Sequence, residues 1–310
     1  GIIEKAREAD VVVMQRPKEE KTLNLARTLK RMGKKVIFEN DDTYLVGKGI
    51  LLDKLENDKQ REIVKMYSHY TNEILKICDG AIASTPILAD EYSQINPNVA
   101  VLKNTIDPLD EFPCKPNTTG KFRVGFIGSV TTNDDYTHIK DQIRKLDDRG
   151  DTTIVVLGVK YKDGKHISYM DKDFLFWDSL KNVEWHPYVN VTEYMMTIAN
   201  LALDLAIIPR EDSYFNRCKS NLKFLEMSLL QIPVIAQGFA TRDGPYDGVD
   251  SKYMTVIYDN STWYDKIVEI RYDYQKYKRL AEKARKYVLR NYNITKYAKE
   301  WTKTIKKLCK

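Results

Sequence analysis

Cysteine and histidine are both scarce, with four of each in 310 residues. Cys78, Cys114, Cys218 and Cys309 are scattered without a C-x-x-C pair. That excludes a zinc ribbon and a disulfide frame and reads as reduced thiols in a cytosolic protein. His69, His138, His166 and His186 show neither H-E-x-x-H nor i, i+4 spacing, so no histidine-built metal site is expected. No apolar run reaches the roughly 18 residues a membrane-spanning helix needs, and no charged-then-apolar signal segment stands at the N-terminus. Gly1 opens inside a helical pattern, which allows a natural start further upstream. There is no internal repeat and no low-complexity tract. The net charge of +6 is modest. It suits a phosphorylated substrate or an anionic membrane surface and falls short of a nucleic-acid signature, which needs clustering and a recognisable module.

What is present is an α/β rhythm. Val11 to Met14, Lys35 to Glu39, Asp79 to Ala83 and Val99 to Leu102 read as buried strands, separated by helical patterns at Lys18 to Met32 and Asp53 to Ile77 and by a short helix after Ser84-Thr85-Pro86. This predicts a parallel, Rossmann-like first domain over 1–106, shortened or with its opening strand outside the chain. Residues 107–120 hold Pro108, Pro113, Pro116, Asn117 and Gly120 without an apolar period, and predict a linker about which the domains close. A second rhythm over 121–293 opens on the strand Phe122 to Ile127 and continues with strands at Thr153 to Gly158, Val183 to Tyr188, Leu203 to Pro209 and Tyr253 to Ile257. A loop is expected at Thr131 to Asp135, and helices at Thr192 to Asn200 and Thr262 to Asn291. Residues 294–310 form a last helix with Tyr297, Trp301, Ile305 and Leu308 on one stripe and lysines elsewhere. That pattern suits a helix docked on the protein, with a basic face open to anionic lipid.

The stretch from Phe215 to Ala236 carries the densest chemistry. Ser220 or Asn221 is placed to cap a helix in which Leu222, Leu225 and Leu229 repeat, and Gln231-Ile232-Pro233 ends it. With Lys219 and Lys223 in its first turn, such a helix offers free N–H groups, a positive dipole end and two ammonium groups to a diphosphate. Glu226, one or two turns in, is placed to accept ribose hydroxyls; an ordinary amphipathic helix with solvated lysines is the competing account. Gly125 to Ser129 resembles a phosphate-approach turn but lacks the full G-x-G-x-x-G spacing. Asp41 and Asp42 end a parallel strand, where a general base or a sugar-binding carboxylate is at home, as is a plain solvated loop. Arg210, after Pro209, ends another strand and is placed to neutralise a phosphate.

Taken in order, Phe215-Asn216-Arg217-Cys218-Lys219-Ser220-Asn221-Leu222-Lys223-Phe224-Leu225-Glu226 and Ile232 to Ala236 resemble the donor-site signature of group 1, family 4-like glycosyltransferases of GT-B architecture. Val36 to Asp42, Ala83 to Pro86, Val101 to Asp107 and Gly125 to Ser129 add to that likeness in the order such enzymes use. The resemblance implies two Rossmann-like domains with parallel sheets and a C-terminal helix that crosses back to the first. It implies a nucleoside-diphosphate sugar held mainly by the second domain, a glycan or lipid-linked acceptor met by the first, and no tightly bound cofactor or metal. By position Glu226 matches the ribose-holding glutamate. Asn216, Lys219, Ser220, Asn221, Leu222 and Lys223 match the region of the diphosphate and donor sugar, Gly128 and Ser129 the turn at the phosphates, and Tyr188 the place where the base is contacted. A retaining transferase of bacterial surface polysaccharide or glycoconjugate synthesis, cytoplasmic and in peripheral contact with the inner membrane, is the implied role. If transfer inverts, Asp41 or Asp42 is the base. The chain departs from the pattern at Cys218, where many members carry a second glutamate, and has no Arg and Lys pair after Ser129. A nucleotide-sugar epimerase and a non-catalytic GT-B partner are the alternatives.

Overall fold

The computed structural model describes residues 1–44, 46, 57–108, 112–128, 130–162, 165–167 and 176–310, with backbone alone at 130–134, 159–162 and 165–167. In chain order the elements begin α1 (Ile2–Arg7), β1 (Val11–Gln15), α2 (Glu20–Arg31), β2 (Lys35–Asn40), α3 (Asp58–Ile77), β3 (Gly80–Ala83), α4 (Pro86–Ser93) and β4 (Val99–Val101). There follow β5 (Phe122–Ile127), α5 (Lys140–Asp148), β6 (Thr152–Lys162), β7 (Lys165–Ile167), β8 (Val183–Pro187), α6 (Val191–Asn200) and β9 (Leu205–Ile208). The chain ends with α7 (Tyr214–Arg217), α8 (Leu222–Leu229), β10 (Val234–Gln237), β11 (Thr255–Ile257), α9 (Trp263–Tyr272), α10 (Tyr274–Asn291) and α11 (Ile294–Leu308). Two compact units result. One comprises Gly1–Thr105, Ser213–Ser220 and Ile294–Lys310, the other Ile106–Asp212 and Asn221–Asn293.

The first unit has four parallel strands in the order β1-β2-β3-β4. Val36, Ile37 and Phe38 of β2 are all fully buried because helices cover both faces of the sheet. Val36 and Phe38 pack with Leu23 and Leu29 of α2, Ile74 and Leu75 of α3 and Leu88 of α4. Ile37 faces the other way, into a cluster with Ile82, Leu102 and Leu308, against which Trp301 and Ile305 of α11 also pack. The last helix is thus a structural layer of the first sheet, and burial of a side chain such as Leu308 contributes about 2 kcal/mol. Asn98 fastens its end, its Nδ2 donating to the carbonyls of Leu308 (2.9 Å) and Asp79 (2.7 Å). Gly33, at φ +75°, closes α2 in the left-handed region a β-carbon disfavours, with Gly33 N–H bonded to Lys30 O and Lys34 N–H to Leu29 O.

The second unit is built on six parallel strands in the order β11-β10-β9-β5-β6-β8, with β7 antiparallel to β6. The chain starts in the middle at β5, moves outward through β6 and β8, then returns to the other side of β5 for β9, β10 and β11. The reversal between β5 and β9 is a topological switch point, where an open α/β sheet forms a ligand crevice beyond its carboxyl ends. The first sheet, laid down in simple order, has no such point among its described strands. Side chains alternate here as well. Val124, Val156 and Ile207 pack with Ile143 of α5 and Trp263 and Ile267 of α9, whereas Val155, Ala206 and Ile208 pack with Ile198 of α6, Leu225 of α8 and Val288 of α10.

The stretch 107–120, where described, groups with the second unit: Lys115 N–H donates to Ala199 O (2.9 Å) and Asn117 Nδ2 to Asp204 Oδ2 (2.6 Å). Two sequence expectations need correction. Thr131 to Asp135, expected as a loop, lies in a 3-10 stretch spanning Val130–Ile139. The strand expected to end at Gly158 continues to Lys162 because β7 pairs with its extension, a non-local pairing that short-range periodicity does not reveal.

Candidate functional site

The helix at the centre of the sequence argument begins later than its pattern implies. Asn221 is the N-cap and Leu222 the first helical residue, so Lys219 precedes α8 and is not in its first turn. The reason is local: Lys219 N–H closes on Asn216 O (3.2 Å) at the end of the separate short α7. Asn221 makes no side-chain cap; its Nδ2 donates to the Tyr292 hydroxyl (3.2 Å) instead. At its other end α8 stops with Gln231 at φ +54°, with Ile232 N–H bonded to Met227 O and Gln231 N–H to Ser228 O. This is the turn a glycine usually makes.

Lys223 and Glu226 lie one turn apart on α8. Lys223 Nζ donates to Glu226 Oε2 (3.1 Å) and to the hydroxyl of Tyr194, over whose ring it also sits. The Tyr194 hydroxyl donates to the same Oε2 (3.2 Å). Glu226 is therefore gripped by one oxygen, whereas Oε1 has no hydrogen-bond partner among the described residues. Its side chain is 15% exposed and does not face bulk solvent. Burial pushes the Tyr194 phenol well above its ordinary pKa, and Glu226 adds to the shift.

Arg210 follows β9 and is drawn inward. Its Nη1 donates to Asp135 Oδ2 (2.5 Å), from the stretch after β5, and Glu211 N–H donates to Asp135 Oδ1 (3.1 Å). Both side chains are nearly buried, 12% and 7% exposed. Burial acts to lower the Arg210 pKa, but Tyr246 and Asp135 outweigh it and raise the value, so the guanidinium stays charged. Tyr246 is completely buried. Its phenol is raised by burial first, lowered by Arg210 and raised again by Asp135 and Glu226. Tyr246 thus links the Arg210 pair to the Glu226 group. Among the described residues neither its hydroxyl nor Arg210 Nε meets a hydrogen-bond partner at bonding geometry, although the two groups are electrostatic neighbours. Gly128 directly follows β5, its N–H 3.3 Å from Leu157 O. Tyr188 lies just past β8 and is 61% exposed. Ser129 lies outside the described residues.

Asn216, Lys219 and Ser220 belong to the first unit, not to the unit of α8. Asn216 is buried in α7. The Lys219 ammonium meets Asp42 and sits 4.3 Å from the Phe215 ring centroid, and Asn104 Nδ2 donates to Ser220 Oγ (2.8 Å). The turn after β2 is shaped by the fully buried Asn40, whose Oδ1 accepts from the N–H groups of Asp41 and Asp42. Arg16 Nε binds Asp41 Oδ1 (2.7 Å) and Arg16 Nη2 binds Asp42 Oδ2 (3.0 Å). Asp42 therefore holds two cations and Asp41 one, leaving Asp41 Oδ2 as the carboxylate oxygen of this pair without a cation among the described residues. Buried Glu91 of α4 accepts from Thr43 Oγ1 (2.9 Å) and the Tyr214 hydroxyl (3.0 Å), which ties residues 213–220 into the first unit. Tyr194, Tyr246, Asp135, Arg16 and Glu91 escaped sequence reasoning, because each gains its partner from a distant part of the chain and none stands in a recognisable motif.

Beside Asp135 and Gln237, His138 is held neutral: burial lowers its pKa, against the upward pull of Gln237 and Asp135. The depressed folded value means that its contribution to stability is complete above the unfolded pKa of about 6.5 and fades as pH falls below it, because the unfolded chain takes the proton first. A denaturant titration from pH 7.5 to 5 is expected to show a loss of stability that His138→Gln reduces; equal slopes in both proteins would refute this. Among the described residues no three His, Cys, Asp or Glu side chains converge to hold a metal ion, and no helix is long and apolar enough to cross a membrane.

No protein-family model matches the chain, and no curated protein does. Solved structures do. The chain is similar to Anabaena Alr3699/HepE in complex with UDP and glucose (TM-score 0.69, 13% identity, 98% of this chain and 80% of that one). It is similar to sucrose-phosphate synthase from Thermosynechococcus elongatus (TM-score 0.68, 11% identity, 99% and 76%) and to a glycosyltransferase from Rickettsia africae (TM-score 0.57, 14% identity, 97% and 98%). The chain accordingly has the two-Rossmann GT-B fold found among glycosyltransferases.

Proposed function

We propose that the protein is a glycosyltransferase that moves a sugar from a nucleoside-diphosphate donor to an acceptor hydroxyl. The observation that carries this reading is the strand reversal between β5 and β9, which puts Gly128 and Arg210 at adjacent carboxyl ends, with Tyr246 joining Arg210 to Glu226. Glu226 Oε1 accepts ribose hydroxyls, Tyr188 meets the base, and the start of α8 at Asn221 and Leu222, with Lys223, faces the diphosphate. Negative charge gathers on that diphosphate as it leaves, so fixed N–H dipoles and cations aimed there lower the barrier. The HepE structures with UDP and with UDP-glucose favour a uridine donor. Lys219, Ser220 and Asn216 serve the acceptor unit, where Asp41 and Asp42 meet acceptor hydroxyls. Transfer proceeds with retention, onto a glycan or lipid-linked acceptor at the cytoplasmic membrane face, in surface polysaccharide or glycoconjugate synthesis.

Incubation with UDP-, GDP- and ADP-sugars tests this. Release of nucleoside diphosphate from one donor class, with the α-anomeric bond kept in the product by NMR, is the expected result. A rearranged sugar would instead identify an epimerase, and tight nucleotide binding without turnover a non-catalytic partner.

A further inference from the structure

Charge is distributed very unevenly along this chain. Residues 274–310 hold 13 Lys and Arg against two acids, a net +11, so the preceding 273 residues are net −5 within the total of +6. Within that segment α11 differs from the rest of the surface. Its apolar stripe is consumed by the first sheet, through Trp301, Ile305 and Leu308. The opposite stripe presents Lys299, Lys303, Lys306, Lys307 and Lys310, all exposed and lining one shallow surface groove with Thr302. Some lysines elsewhere meet carboxylates: Lys21 meets Glu19, Lys65 meets Glu62, Lys76 meets Glu73 and Lys252 meets Asp250. The five on α11 meet none among the described residues. Like charges three and four positions apart destabilise a helix. That repulsion is offset in the first unit by the packing of Trp301, Ile305 and Leu308 on the sheet.

We infer that this lysine face of α11 is a docking surface for an anionic lipid bilayer. The stripe follows one helix about 22 Å long, at 1.5 Å per residue, and sets a continuous row of positive charge against a fluid, laterally mobile charge layer. It consists of lysines, which act as point charges and lack the bidentate geometry with which arginine reads a fixed phosphate or a base. Tyr297 and Trp301, the aromatics of this helix, are partly buried, with Trp301 packed on the sheet, so no exposed aromatic platform is available for stacking nucleic-acid bases. Because its apolar side is already occupied, α11 does not insert. Binding is electrostatic, additive in lysines and screened by salt. The inference rests on the proposed membrane-side acceptor for its purpose, but not for its test.

Full-length protein is sedimented with vesicles of phosphatidylcholine containing 30% phosphatidylglycerol and with vesicles of phosphatidylcholine alone. Binding is expected to the anionic vesicles alone, falling at least tenfold between 0.1 and 0.5 M NaCl. The variant K299Q/K303Q/K306Q/K307Q is expected to bind at least tenfold more weakly while keeping its thermal midpoint and any sugar-nucleotide turnover in solution. A control with the same charge change, K21Q/K65Q/K76Q/K252Q, is expected to bind as the parent does. Equal loss in both variants, or binding to a DNA duplex without binding to vesicles, would overturn the inference. Vesicle binding without turnover on any donor would count against the transferase reading alone.

Discussion

Asp135→Ala is expected to destabilise the protein by about 3–5 kcal/mol, the cost of leaving a buried partner charge uncompensated. Arg210 is 12% exposed, and Asp135 is the carboxylate that accepts from its guanidinium. Tyr246, fully buried, also interacts electrostatically with the guanidinium. The same substitution also removes the acceptor of Glu211 N–H, a hydrogen bond between the loop after β9 and the stretch after β5. Urea unfolding followed by far-UV circular dichroism gives the change directly, read from the midpoint at constant slope. A double variant, Asp135→Leu with Arg210→Met, removes both charges and is expected to recover most of the loss, because paired apolar side chains avoid the desolvation of the ions. A single variant within about 1 kcal/mol of the parent would mean that the pair is solvated, contrary to its burial.

Much of the scaffold is legible in residue order, because fully buried parallel strands are written as short unbroken apolar runs. Val36 to Phe38 and Ala81 to Ala83 are such runs, whereas Val11 to Met14, read the same way, is only partly buried, with Val13 39% exposed; the 3.6-residue stripe of Trp301, Ile305 and Leu308 marks a docked helix. What such patterns omit is the partner. Lys219 and Lys223 look alike in sequence, two cations four residues apart beside a capping residue. In the structure the chain changes unit at Ser220, so one ammonium goes to Asp42 and the other to Tyr194 and Glu226. The charge balance of the candidate site depends on those pairings. Arg210 illustrates the same point: it stands at the strand end where a phosphate ligand is sought, yet Asp135, 75 positions earlier, takes one arm of its fork. Cys218 stands where the resemblance leads one to expect a carboxylate. It is buried in the core of the first unit, its thiol pushed up to about 12 by burial and by Glu91. A carboxylate is present beside that position after all, contributed by α4, and nothing in local sequence announces it.

Glu226→Ala is expected to weaken binding of UDP or of its sugar conjugates by about 5- to 150-fold, the equivalent of roughly 1–3 kcal/mol for hydrogen-bonded polar groups left unmatched. The prediction turns on the asymmetry of this carboxylate. Oε2 is already engaged by Lys223 and Tyr194, which hold the side chain in place, and Oε1 is the oxygen left for a ligand. Truncation also releases Lys223 from its counter-ion, which adds attraction for any diphosphate and opposes the loss. A single affinity is therefore ambiguous, and a cycle with the ligand resolves it. Parent and variant are titrated calorimetrically with UDP and with 2′-deoxy-UDP. If Oε1 accepts a ribose hydroxyl, the deoxy ligand is penalised in the parent and not in Glu226→Ala, with Glu226→Gln between them because its amide keeps one acceptor oxygen. Equal penalties in all three proteins would remove the ribose from Glu226 and leave the carboxylate as no more than the counter-ion of Lys223.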